Sequence, residues 1–210
     1  MEITDINQLD FDKTYTYADY LLWKFKERVE LVKGKILKMS PAPSRKHQEV
    51  AGNFYYAMRK NFHSDRCQLF FAPFDVRIPR RNDHNEEIFT VVQPDLCVIC
   101  DENKLDERGA IGAPDLIIEI LSPGNSRKEL KTKFDLYEES GVLEYWVVNP
   151  SEETVLVNVL ENGTYRTLRP VVDDLIISPT FPELKIISTE VFKGKNEPQR
   201  HEDNHEEHWD

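Results

Sequence analysis

A carboxylate stands inside the most apolar run of the chain. Leu116-Ile117-Ile118-Glu119-Ile120-Leu121 has the length and branched content of a strand buried on both faces, which places it mid-sheet under covering helices. Glu119 conflicts with that setting, because an ionised carboxylate is expensive to bury unless it is paired or bound to a metal. Val91-Val92-Gln93-Pro94-Asp95-Leu96-Cys97-Val98-Ile99 repeats the conflict at Asp95. Either acid alone reads as a strand-end residue or half of a buried ion pair. Two of them on neighbouring strands point to converging oxygen ligands of the kind Mg²⁺ takes, with positions left for water and phosphate. Asp115 is a poorer partner for Glu119. Four residues along one strand separate the Cα atoms by roughly 13 Å, whereas adjacent strands lie about 5 Å apart.

The flanking patterns suggest how such a sheet is covered. Residues 16–29 read as a first helix, with Thr16 as N-cap and Asp19 at N3. Residues 30–37 alternate around Gly34 as a hairpin, and a second helix opens at Ser44, carrying Val50, Phe54, Ala57 and Met58 at helical spacing. Three strand runs follow, at 67–78, 91–100 and 116–121, separated by polar loops at 79–87 and 101–112. A third helix fits 126–140, stopped by Gly141, and 142–148 is again strand-like. Residues 155–160 and 165–168 around Asn162-Gly163 complete an extra β-hairpin. The expected fold is α/β: a mixed central sheet flanked by helices, one domain over 1–196.

On the third helix, taking 100° per residue from Glu129, the Leu130, Phe134 and Tyr137 stripe centres near about 107° and Lys133 falls near about 40°, on its edge. Lys133 can therefore reach toward the sheet; its simpler role is an i,i+4 pair with Glu129. Cys97 and Cys100 have zinc-like spacing, but on a strand they point to opposite faces and read as core residues. With Cys67 they make three cysteines, an odd number that suggests a reducing compartment and no structural disulfide. Tyr145 and Trp146 read as core and dimer-surface aromatics rather than a base-stacking platform.

The net charge of −11 argues against a nucleic-acid coat protein or a membrane-surface binder. Part of it is local: Glu197, Glu202, Asp203, Glu206, Glu207 and Asp210 against Arg200 give −5, leaving −6 for the rest. Residues 197–210, with His201, His205 and His208, are expected to be a disordered acidic tail. Arg77, Arg80, Arg81, Arg127, Lys128 and Lys131 remain able to meet phosphates. No run of eighteen apolar residues exists, and the start of the chain lacks a secretory pattern, so the expected location is cytoplasmic, with no membrane contact.

Pro94-Asp95, then Glu119-Ile120-Leu121, in this order of elements resembles the PD-(D/E)XK nuclease superfamily. The stretch from Gly112 through Asp115 and Glu119 to Pro123, then Lys133, Tyr137, Gly141-Val142 and Glu144-Tyr145-Trp146, resembles more closely the Uma-two family of restriction endonucleases. Glu30-Leu31-Val32-Lys33-Gly34-Lys35-Ile36, Pro41 and His47 belong to the same resemblance, which runs from about Tyr17 to Pro182. It implies a restriction-endonuclease-like core and a Mg²⁺-dependent DNA endonuclease, with Mn²⁺ as a possible substitute and a homodimer as the assembly. It implies that Asp95 and Glu119 bind the metal with the Ile120 carbonyl, and that Lys133 orients the attacking water and offsets phosphate charge. The superfamily lysine would stand at Leu121, so Lys133 takes its place from the following helix, and Glu129 stands where relatives often carry aspartate. Glu30 is a further acid and His47 a contact for phosphate or water. The rival readings are a non-cleaving DNA-binding or regulatory module on the same fold, and a metal-dependent hydrolase of another phosphoester.

Overall fold

In the computed structural model, residues 2–39, 42–61, 66–80, 84 and 87–194 are described. The tail expected at 197–210, the boundary near Asn196, and Arg81 lie outside them. Among the described residues no helix is long and apolar enough to cross a membrane.

The central sheet is mixed and six-stranded. Its strands are β3 (Gln68–Phe71), β6 (Leu96–Ile99), β9 (Leu116–Ile120), β10 (Glu144–Asn149), β11 (Thr154–Glu161) and β12 (Thr164–Thr167), in the order β12-β11-β10-β9-β6-β3. Only β9 and β10 run parallel, and they are the two strands joined through a helix, α3 (Arg127–Ser140). The hairpin around Asn162-Gly163 extends this sheet as β11 and β12. A second sheet is built from β1 (Val29–Val32), β2 (Lys35–Lys38), β4 (Val76–Arg77), β5 (Val91–Val92), β7 (Leu105–Asp106) and β8 (Gly109–Ile111).

The apolar run at 116–121 is central because both of its faces are covered. Leu116, Ile118 and Ile120 pack with Val50, Phe54 and Met58 of α2 (Arg45–Asn61) and with Val191 and Phe192 of α4 (Ser188–Phe192). Ile117 points the other way, into a cluster with Leu136, Tyr137 and Tyr145. Glu119 has the parity of Ile117, so its carboxylate is delivered to the α3 side. Helix α3 starts and stops where its residues require. Ser126 and Glu129 form a reciprocal capping box, and Gly141 ends the helix at φ +83°, a conformation that resists side chains.

Four expectations are corrected. The first helix covers only Tyr17–Tyr20 (α1), although its Thr16–Asp19 capping box is present. Beyond it, Leu22 accepts from the Ile3 N–H and the Lys24 N–H donates to Ile3, which takes backbone groups a longer helix would need. The runs 67–78 and 91–100 are not single strands. Pro73 and Pro94 lack the N–H a ladder needs, and at each the chain passes between the two sheets, from β3 to β4 and from β5 to β6. The polar segment 101–112 contains the β7–β8 hairpin, too short to show periodicity; a Cβ on Gly109 would come within 2.1 Å of the Asp75 carbonyl oxygen.

The fourth correction concerns the cysteines. Gln68 pairs with Ile99, so the antiparallel register brings Cys67 opposite Cys100, and the two form a disulfide across 33 residues. Spacing in sequence gave no sign of this, since only register brings them together. Cys97, with the opposite parity, is free and buried in the core.

A small appendix, β13 (Leu175–Ile177) with β14 (Lys185–Ile187), is tied to the central sheet by a fully buried acid. Glu144 accepts from Trp146 Nε1 and Ser178 Oγ, both at 2.8 Å, and from the Thr180 N–H. Replacing it by leucine strands those donors. Glu144→Leu is expected to lower unfolding free energy by about 3 kcal/mol or more in urea titration. A change below about 0.5 kcal/mol would show that water satisfies the donors equally well.

Candidate functional site

The two anomalous acids meet through sheet register. In the β6–β9 ladder Leu96 faces Ile118 and Cys97 faces Ile117. Continuing by one residue sets Asp95 opposite Glu119, a pairing that puts Cβ atoms about 5 Å apart on one face. Pro94 ends the ladder there, so the acids sit at the margin of the sheet. Asp95 Oδ2 accepts from the Ile120 N–H at 2.8 Å, which fixes the carboxylate beside the end of β9. Asp115 is spent elsewhere, capping the Cys100 N–H at 2.8 Å.

The sheet margin opens into a cavity of about 110 Å³ lined by Glu30, His47, Asp95, Glu119, Ile120 and Lys133. These six are the catalytic and metal-binding candidates read from the sequence, and they line one cavity. Arg28 and Glu129 line it too. Lys133 is buried rather than on the helix edge, and its Nζ donates to Glu119 Oε1 at 2.8 Å and to Glu30 Oε1 at 3.1 Å. Glu129 does not pair with it, being engaged in the Ser126 cap. Leu121, where the superfamily lysine would stand, also lines the cavity, so the ammonium arrives from α3 at the position β9 does not supply.

Glu30 is buried and accepts a second bond from the Gln93 N–H at 2.8 Å. His47 is also buried, with Nε2 3.3 Å from Asp95 Oδ2 and Nδ1 without a hydrogen-bond partner. Sequence reasoning missed Tyr137, which it assigned to packing alone. Its hydroxyl donates to Glu119 Oε1 at 2.6 Å. The signal was present: Tyr137 lies one turn beyond Lys133, on the same helical face.

Charge is unbalanced here. Four carboxylates, Glu30, Asp95, Glu119 and Glu129, line the cavity with two fixed cations, Arg28 and Lys133. Glu119 is pushed up to about 7, first by burial, then against the pull of Lys133 by the charges on Asp95 and Glu30. Burial pulls His47 down, but Asp95, the Ile120 carbonyl and Glu119 outweigh it and leave the imidazole above its usual value. The ammonium of Lys133 is raised: burial opposes its charge, and Glu119 and Glu30 more than compensate.

Among the described residues no group of three or more His, Cys, Asp and Glu is arranged to hold a metal ion. A site with two acidic ligands is still the kind Mg²⁺ uses, because it keeps several waters. Two features fit a divalent cation: the excess negative charge, and the oxygens left over. Lys133 and Tyr137 both use Glu119 Oε1, and Ile120 and His47 both use Asp95 Oδ2. Oε2 and Oδ1 carry no hydrogen bond among the described residues.

Arg77 departs from its expected role as a phosphate contact. It is fully buried, paired with Asp106 and stacked on Tyr17 at 5.2 Å. Tyr145 and Trp146 are both buried in the core, so neither is the surface aromatic that the sequence reading also allowed.

The family model described as "Uma2: Putative restriction endonuclease" matches residues 17–190. The chain is also similar to a solved structure described as a putative nuclease belonging to DUF820 from Anabaena variabilis ATCC 29413. Identity is 23%, with a TM-score of 0.64 over 85% of this chain and 97% of that one, a likeness of fold. No curated protein matches.

The raised carboxyl sets a pH dependence. Glu119 has a folded pKa above its ordinary value of 4.5, so its contribution to stability is complete below 4.5 and is lost as pH rises through about 7. His47, also raised, acts in the same direction, losing its contribution above 6.5. With divalent ions chelated, stability should fall by on the order of 2 kcal/mol between about pH 5 and 8. Glu119→Gln, which keeps an acceptor for Lys133 and Tyr137, should remove most of that slope in melting curves. An unchanged slope would mean that Glu119 stays ionised throughout.

Proposed function

Because this chain belongs to Uma2, the family described as "Putative restriction endonuclease", we propose that it hydrolyses DNA phosphodiester bonds in a divalent-metal-dependent reaction at the Asp95–Glu119 cavity. The observation that carries this reading is the convergence of two carboxylates, each with an unengaged oxygen, and one buried ammonium at a sheet margin open to solvent. Asp95, Glu119 and the Ile120 carbonyl are the groups that would hold Mg²⁺, or Mn²⁺ in its place. A bound divalent ion supplies Lewis-acid polarisation of the phosphoryl oxygen and lowers the pKa of water.

The remaining work falls to the chain. Lys133 has three N–H donors, of which Glu119 and Glu30 take two. The third is free to hold the attacking water or a non-bridging phosphate oxygen, offsetting the charge that grows there in the transition state. Glu30 keeps Lys133 in place, and Tyr137 holds Glu119 in one orientation so that Oε2 remains presented. His47, held protonated by Asp95 over a wider pH range than a free imidazole, serves as a donor to phosphate or water. Arg127 and Lys128 are exposed on the first turn of α3, the same turn that brings Glu129 to the cavity, and give a nucleic-acid backbone its approach. Cutting both strands of a duplex suits two such sites, hence a homodimer. The location we propose is cytoplasmic and follows from the DNA substrate alone, since the paired Cys67 and Cys100 remove the argument from free thiols.

The test is incubation of the full chain with plasmid and oligonucleotide DNA in Mg²⁺ or Mn²⁺ against EDTA, alongside Asp95→Asn. The expected outcome is metal-dependent product that falls by roughly 100-fold or more in the variant. The variant's melting temperature should be unchanged or slightly higher, because repulsion from Glu119 is relieved. DNA binding without product would favour the regulatory module, and turnover of a small phosphodiester without DNA affinity the other hydrolase. A large loss of melting temperature with unchanged metal binding would make Asp95 a structural ion-pair residue.

A further inference from the structure

Beside the acidic cavity lies a second one of about 340 Å³, walled by Tyr20, Trp23, Phe25, Arg28, Pro73 and Gln93. The partition between them is thin. Arg28 lines both cavities. Its guanidinium Nη2 donates to Gln93 Oε1 at 3.1 Å, and the N–H of Gln93 in turn donates to Glu30 Oε1 in the acidic cavity.

The walls differ in chemistry. Trp23 and Phe25 stack at 28° with ring centroids 5.8 Å apart, and Tyr20 tilts against Trp23 at 5.6 Å. All three residues are partly accessible while packing against the core around Tyr15, Tyr17 and Leu31, and Trp23 Nε1 is buried without a hydrogen-bond partner among the described residues. Tyr20 is held rigidly, its hydroxyl accepting from Gln93 Nε2 at 3.3 Å beside Asp75. Around the rings the charges are Lys26 and Arg28 against Glu27. A planar, polar-edged aromatic group suits such a wall: its faces stack on the rings, and Arg28 stands on the side toward the acidic cavity.

We infer that this second cavity is a subsite for one unstacked nucleobase of the DNA strand whose phosphate lies at Asp95 and Glu119. The inference rests on the nuclease reading and adds to it a group that the enzyme takes hold of besides phosphate. The acidic cavity is too small and too negative to take a base as well, so the neighbouring base has to leave by one side. On this side it meets aromatic faces within one residue's reach of the phosphate site, through Arg28. Base stacking on aromatic side chains is tolerant of sequence, and a base that is mismatched or already single-stranded enters at least cost. The strand is therefore gripped at two points, a phosphate and an adjacent base.

Trp23 also anchors the start of the chain through its bridge to Ile3, so Phe25→Leu, which keeps apolar volume and loses the ring, is the safer variant. Binding is measured with Ca²⁺ in place of Mg²⁺, so that the charge of the acidic cavity is offset, using fluorescent single-stranded oligonucleotides of one sequence, intact or with one abasic position stepped along the strand. The unaltered protein should bind roughly 5- to 100-fold more weakly when one particular position is abasic. Phe25→Leu should lose that discrimination while binding the abasic strand as the unaltered protein does, with an unchanged melting temperature. Indifference to every abasic position, or full discrimination by a folded Phe25→Leu, overturns the subsite. Cleavage in Mg²⁺ is scored separately. Cleavage without abasic sensitivity leaves the nuclease and removes the subsite, and abasic sensitivity without cleavage does the reverse.

Discussion

One buried ammonium organises this protein. Lys133 sits between Glu30 from the second sheet and Glu119 from the central sheet, and it is carried by the helix that joins β9 to β10. Three separately formed parts of the fold thus share one charge. Removing one partner from such a triad leaves an uncompensated charge in a low-dielectric interior, which costs several kcal/mol. An apolar replacement would have packed at less expense, so the arrangement makes sense as a way to keep an ammonium beside the carboxylates of the cavity, where it opposes the burial and neighbouring charges that raise Glu119. It also explains why Glu30, 103 residues from Lys133, belongs to the site although it lies on a peripheral hairpin.

What the sequence disclosed follows from how local each determinant is. The capping box at Thr16, the Gly141 stop and the Asn162-Gly163 turn depend on a few adjacent residues, and all are present. Asp95 and Glu119 were legible because a charge in an apolar run is improbable unless something binds it. The role of Tyr137 was hidden because an aromatic on a buried stripe fits packing equally well, and only its hydroxyl distinguishes the two. The pairing of Cys67 with Cys100 was hidden for another reason. It depends on the register of two strands whose separation in sequence carries no periodic signal.

The two prolines show the same contrast between local rule and tertiary outcome. A proline inside a strand-like run reads as an interruption, and it is one. Its consequence is larger: at Pro73 and Pro94 the chain leaves one sheet for the other, and the two crossings lie side by side, since the Ala72 N–H donates to the Asp95 carbonyl at 3.1 Å. Ala72 and Asp95 both line the acidic cavity, and Pro73 and Gln93 line the aromatic one. Both cavities occupy the seam that the crossings leave between the sheets.

Strand β3 ends at this seam, and it is an outer strand of the central sheet. Outer strands peel first in most sheets, from whichever end is looser. Here Cys67–Cys100 fastens the end remote from the cavity by a covalent bond, while at the other end the exposed Phe71 is held by its pairing with Leu96, an edge contact with Tyr55 and the Ala72 hydrogen bond. Peeling is therefore polarised: it begins at Phe71 and travels away from the seam. The lip of the acidic cavity is thus the end of β3 held by non-covalent contacts alone, while the disulfide fixes the register of the far end.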